Sequence, residues 1–346
     1  MAALGGNTDA GPAAGAADGA CVRILQFDAD ADDRVLEEAA IDPAALGERQ
    51  LLWVDVEDED AEVADAVVRR LVERLRLGPG APALLRQIDG RPRLHNVGDW
   101  FLVQVTAVEH AGALQFNGRA LAIVCGHNFV LTLHRGPLGF LDQLRRREHA
   151  ETRLGSLSAE SFTASLLDWQ IESYLHAVSD FEAAVDRLEV AILASRVQRE
   201  SLPELARLRR GASRLRRMLA PHRHVFGALA RPDFRPDAGA DVDRQFRALE
   251  QRFERAMDAV ENARDLVVGS FELFATRTAQ RTNDTMRVLT FVTVLTGSLA
   301  VVSGALGMNF KASLFESAGF GFWTTIAAMG AFVVLSVAFA RWRRWF

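Results

Sequence analysis

The chain has 346 residues, enough for one large or two smaller domains, and its net charge of -5 gives no reason to expect nucleic acid as a partner. Its composition, 49% hydrophobic and 25% charged, is that of an ordinary soluble protein, but the mean hides a gradient: charge runs through the chain to Arg287 and nearly vanishes beyond it. Two widely separated cysteines, Cys21 and Cys125, argue against a disulfide framework or structural zinc site, and the first residues lack the apolar stretch of a secretory signal.

In chain order, residues 1–20 are Ala/Gly-rich and read as a disordered leader. Residues 21–155 mix the strand-like runs CVRILQF, LLWVDV, WFLVQVTAV, ALAIVC and NFVLTLH with the amphipathic run AEVADAVVRRLVERL, which predicts a cytoplasmic α/β domain. Residues 156–235 turn helical, and Ser201 and Pro203 divide them into a helical hairpin. Pro232, Pro236 and Gly239 break helix again, leaving Asp241 or Asp243 to cap the next helix. The acidic run Glu57, Asp58, Glu59, Asp60 reads as a solvated loop.

From residue 240 a seven-residue repeat places Phe246, Phe253, Val260, Val267 and Phe274 on one line and Val242, Leu249, Ala256, Ala263 and Ser270 on another. Such a seam needs partners. It predicts one long stalk helix over 240–309, whose last part, 288–308, carries no charge. At about 1.5 Å per residue that part can cross a hydrocarbon core of about 30 Å. An external loop at 310–317, a second uncharged run at 318–340 and a basic tail at 341–346 complete the pattern. Arg277, Arg281 and Arg287 precede the first span, Arg341, Arg343 and Arg344 come after the second, and only Lys311 lies between, which orients both termini to the cytoplasm.

Along the first span, Asn283, Thr290, Gly297 and Gly304 share a line beside Met286, Thr293, Ala300 and Gly307, whereas Val288, Val292, Leu295, Leu299, Val302 and Leu306 are bulky. A polar-to-small stripe in a membrane helix either packs against other helices or lines a water-filled path. The stripe closes in Gly307-Met308-Asn309.

The stretch TNDTMRVLTFVTVLTGSLAVVSGALGMNF resembles the first transmembrane helix of the CorA superfamily, with Asn283, Met286, Leu289 and Thr290 at its start and the Gly-Met-Asn signature at its end. RPRLHNVGDWFLVQVTAV, ALAIVCGHNFVLTLH and the arginine-rich helix extend the resemblance upstream. It implies a funnel-shaped homopentamer in a bacterial inner membrane, with a pore lined by Asn283, Thr290, Thr293, Gly297, Ala300 and Gly304. It also implies an apolar gate at Met286 and Leu289 and a selectivity filter at Gly307, Met308 and Asn309, where Asn309 offers oxygen to the metal. The activity implied is transport and not enzymatic, with no covalently bound cofactor. The partners are further copies of the chain, the lipid bilayer and the divalent cations carried: Mg²⁺ with Co²⁺ or Ni²⁺, or Zn²⁺ in a ZntB-like alternative. A non-conducting membrane-anchored scaffold or sensor is the reading outside transport.

The sequence departs from the family pattern at Ser298 and Ala300, where the family carries proline and threonine, and at Leu306, where it carries an aromatic. Lys311, with Glu316 the one acid of the loop, would put a ring of ammonium groups near the mouth. His222 and His224, two apart, do not share a helix face and read as surface histidines. Arg207, Arg209, Arg210, Arg214, Arg216 and Arg217 read as a solvated face, with anionic lipid or a neighbour's acidic helix as the other reading.

Overall fold

A computed structural model describes residues 15–17, 20–58, 61–86, 88–110, 112, 115–148, 154–194, 201–236, 239–308 and 319–343. Two compact units divide the chain: Met1–Leu188 with Gln198–Val268, and Glu189–Val197 with Gly269–Phe346.

The first unit is built on a mixed sheet of strands β1 (Gly15–Ala17), β2 (Ala20–Asp28), β3 (Arg34–Val35), β4 (Gln50–Asp58), β5 (Arg93–Asn96), β6 (Phe101–His110), β7 (Phe116–Cys125) and β8 (Phe129–Arg135). The order is β1-β2-β4-β8-β7-β6-β5, with β3 beside β2. Among the described strands only β4 and β8 pair in parallel, Leu52 opposite Phe129 through Asp58 opposite Arg135. Lying inside the sheet and covered on both faces, these two strands read as near-continuous apolar runs. Leu52, Val54 and Val56 share one core with Val67, Val68, Leu71 and Val72 of α1 (Ala61–Arg74). The short α2 (Ala81–Leu85) adds Ala81 and Leu85 to it.

The opposite face meets α4 (Ala159–Leu193), α5 (Ser201–Leu219), α6 (Arg223–Leu229) and the start of α7 (Ala240–Leu306). Phe162 of α4 lies edge-on to Trp53 of β4 at 5.4 Å, and Phe234, between α6 and α7, edge-on to Phe101 of β6 at 5.2 Å, while Phe253 of α7 stacks on Phe226 of α6 at 4.9 Å. A helix α3 (Gly139–Glu148), not anticipated from the sequence, comes after β8. Ser158 starts α4 by accepting the Ser161 N–H at 3.1 Å, and Pro203 falls in the first turn of α5, where a missing N–H costs nothing.

The seven-residue seam is buried from Val242 through Phe246, Leu249, Phe253, Ala256, Val260 and Ala263 to Val267. Its partners over this length are the chain's own elements, since Phe246 meets Phe101 and Phe234, and Phe253 meets Phe226. Periodicity announces that a face is covered and not by what. Asp241 and Asp243 sit inside the first turn of α7, favourable for carboxylates at the positive helix end, while the carbonyl of Gly239 accepts the first N–H at 2.9 Å from Val242. Within the stretch expected to be an unstructured leader, Gly15–Ala17 pairs with β2, whose edge backbone accepts any short strand. Glu57 and Asp58 belong to β4 and not to a loop; Glu59 and Asp60 lie outside the described residues.

The second unit contains α7 from Gly269 onward, the end of α4, and α8 (Gly319–Trp342). Ser270 donates to Glu189 at 2.6 Å within it.

Candidate functional site

The outer part of α7 and the whole of α8 are long and apolar enough to cross a membrane, and the most apolar stretch of each is unburied in a single chain. Val301 is 72% exposed and Trp342 79%. A surface of that kind belongs in lipid or against other protein rather than in water.

The two helices are not uniformly bare. On α7 from residue 281 onward the least exposed positions are Phe291, Leu295, Leu299 and Leu306; on α8 they are Gly321, Thr325, Met329, Val333, Ser336 and Ala340. Steps of three and four residues put each set on one helix face, as side-by-side packing does. At about 100° per residue, the centre of the α7 set lies about half a turn from the lines Asn283, Thr290, Gly297, Gly304 and Met286, Thr293, Ala300. Those residues, with Leu289, Gly307 and Met308, are all exposed. The structure therefore gathers the described members of the expected pathway onto one uncovered stripe. Asn309, Lys311 and Glu316 lie outside the described residues, as does the expected external loop.

The stripe exposes hydroxyl groups and glycines. Thr293 donates its hydroxyl hydrogen to the Leu289 carbonyl at 2.8 Å, which leaves its oxygen lone pairs facing outward. Thr278, Thr282 and Thr285 do the same toward the Phe274, Thr278 and Arg281 carbonyls. A Cβ built on Gly297 or Gly304 meets nothing within 4 Å, so neither glycine serves a close contact among the described residues. Below the expected gate, Thr278, Arg281, Thr282, Thr285, Met286 and Leu289 line a shallow cavity of about 320 Å³. Where the family carries proline, Ser298 keeps α7 unbroken and donates to the Val294 carbonyl at 2.8 Å. The helix ends with Gly307 N–H on Ser303 O at 3.0 Å and Met308 N–H on Ala305 O at 3.3 Å. Among the described residues no group of three or more His, Cys, Asp or Glu is placed to hold a metal. Asn283, Thr290 and Thr293 are among the exposed residues of this stripe that carry side-chain oxygens.

His222 corrects the reading of a surface histidine. It is fully buried, its Nε2 accepts the Thr106 N–H at 2.8 Å, and its Nδ1 lies 3.0 Å from the Leu219 carbonyl, which fixes a neutral ring. Burial pushes its pKa down to about 4 against the opposing pull of that carbonyl. The spacing HRH carries no signal for such a role. Of the arginines, Arg207, Arg216 and Arg223 pair with Glu204, Glu261 and Glu254, while Arg209, Arg210 and Arg217 are exposed.

The family described as CorA-like Mg²⁺ transporter protein matches residues 48–341. The cobalt/magnesium transport protein CorA of Thermotoga maritima is 23% identical over 281 residues, 81% of this chain and 80% of the relative. The divalent cation transporter CmaX of Pseudomonas aeruginosa is 26% identical over 267 residues, 76% of this chain and 79% of the relative. Among solved structures, that of the complete CorA magnesium transporter from Methanocaldococcus jannaschii is similar at a TM-score of 0.68 and 19% identity, covering 92% of this chain and 97% of that one. The family match runs from β4 through both apolar helices, and the chain is a member of the CorA family of divalent cation transporters.

Proposed function

We propose that the chain is one subunit of a funnel-shaped homopentamer that admits Mg²⁺, and with it Co²⁺ or Ni²⁺, across a bacterial inner membrane, with both termini cytoplasmic. The observation that carries this reading is the position of the polar-to-small stripe, opposite the less exposed face of α7 and exposed among the described residues. Arranged around a five-fold axis, that stripe lines a lumen with α8 outside it. Asn283, Thr290 and Thr293 then face the ion with oxygen, the ligand type hard cations take, and hydrated Mg²⁺ is bound through its waters. Met286 and Leu289 narrow the inner end and close it by dewetting. Gly307, Met308 and Asn309 form the outer filter, with Lys311 and Glu316 setting the potential at its mouth. The membrane potential drives influx, worth about 4.6 kcal/mol per 100 mV for a divalent ion. The match to the CorA-like Mg²⁺ transporter family and the likeness to the cobalt/magnesium transport protein of Thermotoga maritima support magnesium as the ion.

Metal flux into proteoliposomes, with Mg²⁺, Co²⁺, Ni²⁺ and Zn²⁺ in competition, tests the reading. Mg²⁺ uptake driven by potential and inhibited by Co²⁺ is the expected result. Zn²⁺ uptake that depends on a proton gradient would replace it by a ZntB-like transporter, and no flux of any metal would leave a membrane-anchored scaffold.

A further inference from the structure

The first unit holds a buried charge cluster that ion passage does not use. Asp55 of β4 and His134 of β8 are 1% and 3% exposed. Asp55 Oδ1 accepts the Thr132 hydroxyl at 2.5 Å, and the Thr132 oxygen in turn accepts the Trp53 indole N–H at 3.0 Å. Asp55 Oδ2 accepts from Arg145 Nη1 of α3 at 2.9 Å, with Arg23 of β2 at 3.9 Å. The His134 ring lies between two oxygens: Nδ1 is 2.7 Å from the Gly136 carbonyl, and Nε2 is 3.2 Å from Asp55 Oδ1, at ion-pair distance though off the line of its N–H.

A carbonyl and a carboxylate offer only lone pairs. A neutral imidazole has one N–H, so it would turn a bare nitrogen lone pair against one of these oxygens in a buried site. With both nitrogens protonated, both contacts attract. The surrounding charges agree. Asp55 and Glu57 come from β4, Arg23 from β2, and Asp142 and Arg145 from α3, where Arg145 also pairs with Asp142. From β7, Arg119 pairs with Glu109 of β6 and reaches the Arg135 carbonyl at 3.3 Å. Setting that last pair aside, the cations His134, Arg23 and Arg145 balance the anions Asp55, Glu57 and Asp142, of which only Asp55 is buried, and removing the histidine proton leaves negative charge in excess.

The same contacts hold α3. Gly136 begins the turn into it with φ of +68°, a conformation that favours glycine, and donates its N–H to the Asp58 carbonyl of β4 at 3.2 Å. His134 grips the carbonyl of that glycine, and Arg145 ties the body of α3 back to Asp55.

We propose that His134 is a proton-operated latch: as a buried imidazolium it clips the β8–α3 turn and α3 to β4, and its deprotonation at alkaline pH releases them. Burial works against the charge, but the Asp55 carboxylate outweighs it and holds the ring above the ordinary histidine range. With the folded value raised, the latch is fully engaged below about pH 6.5 and is lost as pH rises through the folded value.

Two measurements on the full-length protein in lipid nanodiscs test this. Nitrogen-15 NMR of histidine-labelled protein near neutral pH should show His134 with both ring nitrogens protonated. Hydrogen exchange, corrected for intrinsic rates, should show amides 136–145 losing about tenfold in protection relative to β6 between mildly acidic and strongly alkaline pH. His134→Gln should hold the low protection at every pH. A bare ring nitrogen at neutral pH, or relative protection of 136–145 that does not change with pH in the unmodified protein, overturns the proposal. Neither result requires the variant to fold.

Discussion

Gly297→Leu separates a pore-lining glycine from a packing glycine. A Cβ at this position meets no atom within 4 Å, so the chain itself raises no steric objection. Glycine inside a helix is less favourable than leucine by about 0.8 kcal/mol, so each subunit should gain roughly that much helix stability. In a five-fold ring, however, the new side chains lie on the line between Thr290 and Gly304 and fill the lumen. The expected outcome is a melting temperature in detergent equal to or above that of the unmodified protein, an unchanged oligomer by native mass spectrometry, and Mg²⁺ uptake reduced to background. Full uptake would remove residue 297 from the pathway. Lost assembly with a lowered melting temperature would mean that subunits pack on this glycine, and the stripe would then be an interface rather than a lumen.

Met286→Ala and Leu289→Ala should widen and wet the inner constriction and raise leak current in planar bilayers; unchanged current from both variants in assembled channels would move the gate elsewhere. Asn309→Ala should abolish selective uptake while leaving the oligomer intact, because it removes a ring of amide oxygens from the mouth, and wild-type selectivity in the variant would reduce Asn309 to a helix cap. His222 should make the first unit acid-sensitive. Its folded pKa of about 4 lies below the ordinary histidine value of 6.5, so the stability it contributes is present above pH 6.5 and falls away as pH drops through 4. The loss amounts to about 3 kcal/mol in tryptophan-monitored unfolding. His222→Gln should flatten that slope, and an equal slope in the variant would assign the acid sensitivity to another group.

The membrane-facing part of the chain was the most legible from sequence, because a hydrocarbon core forbids charge over a fixed length and leaves a long signal in Val288–Met308 and in the run around Ala328. The α7 seam was legible as a covered face, but Phe246 and Phe253 have the same spacing whether they meet another subunit or their own sheet. What stayed hidden depends on contacts between distant positions. Asp55 shares a strand face with Trp53 two residues earlier, an ordinary strand spacing, and only folding brings Thr132, His134 and Arg145 to it. His222 becomes a backbone acceptor because Thr106, 116 residues away, points its N–H there. The α3 run GFLDQLRRRE is short and largely polar, too weak a periodicity to separate from a loop.

Cysteine scanning of residues 283–307, in a background with Cys21 replaced and the buried Cys125 retained, tests the central claim most directly. A charged, water-soluble thiol reagent applied during Mg²⁺ uptake should block flux at 283, 290, 293, 297, 300 and 304, with Mg²⁺ protecting, and should leave 291, 295 and 299 unaffected. Block at 291, 295 and 299 instead would put the lumen on the face now assigned to α8, and no block at any position would mean that ions do not pass along α7.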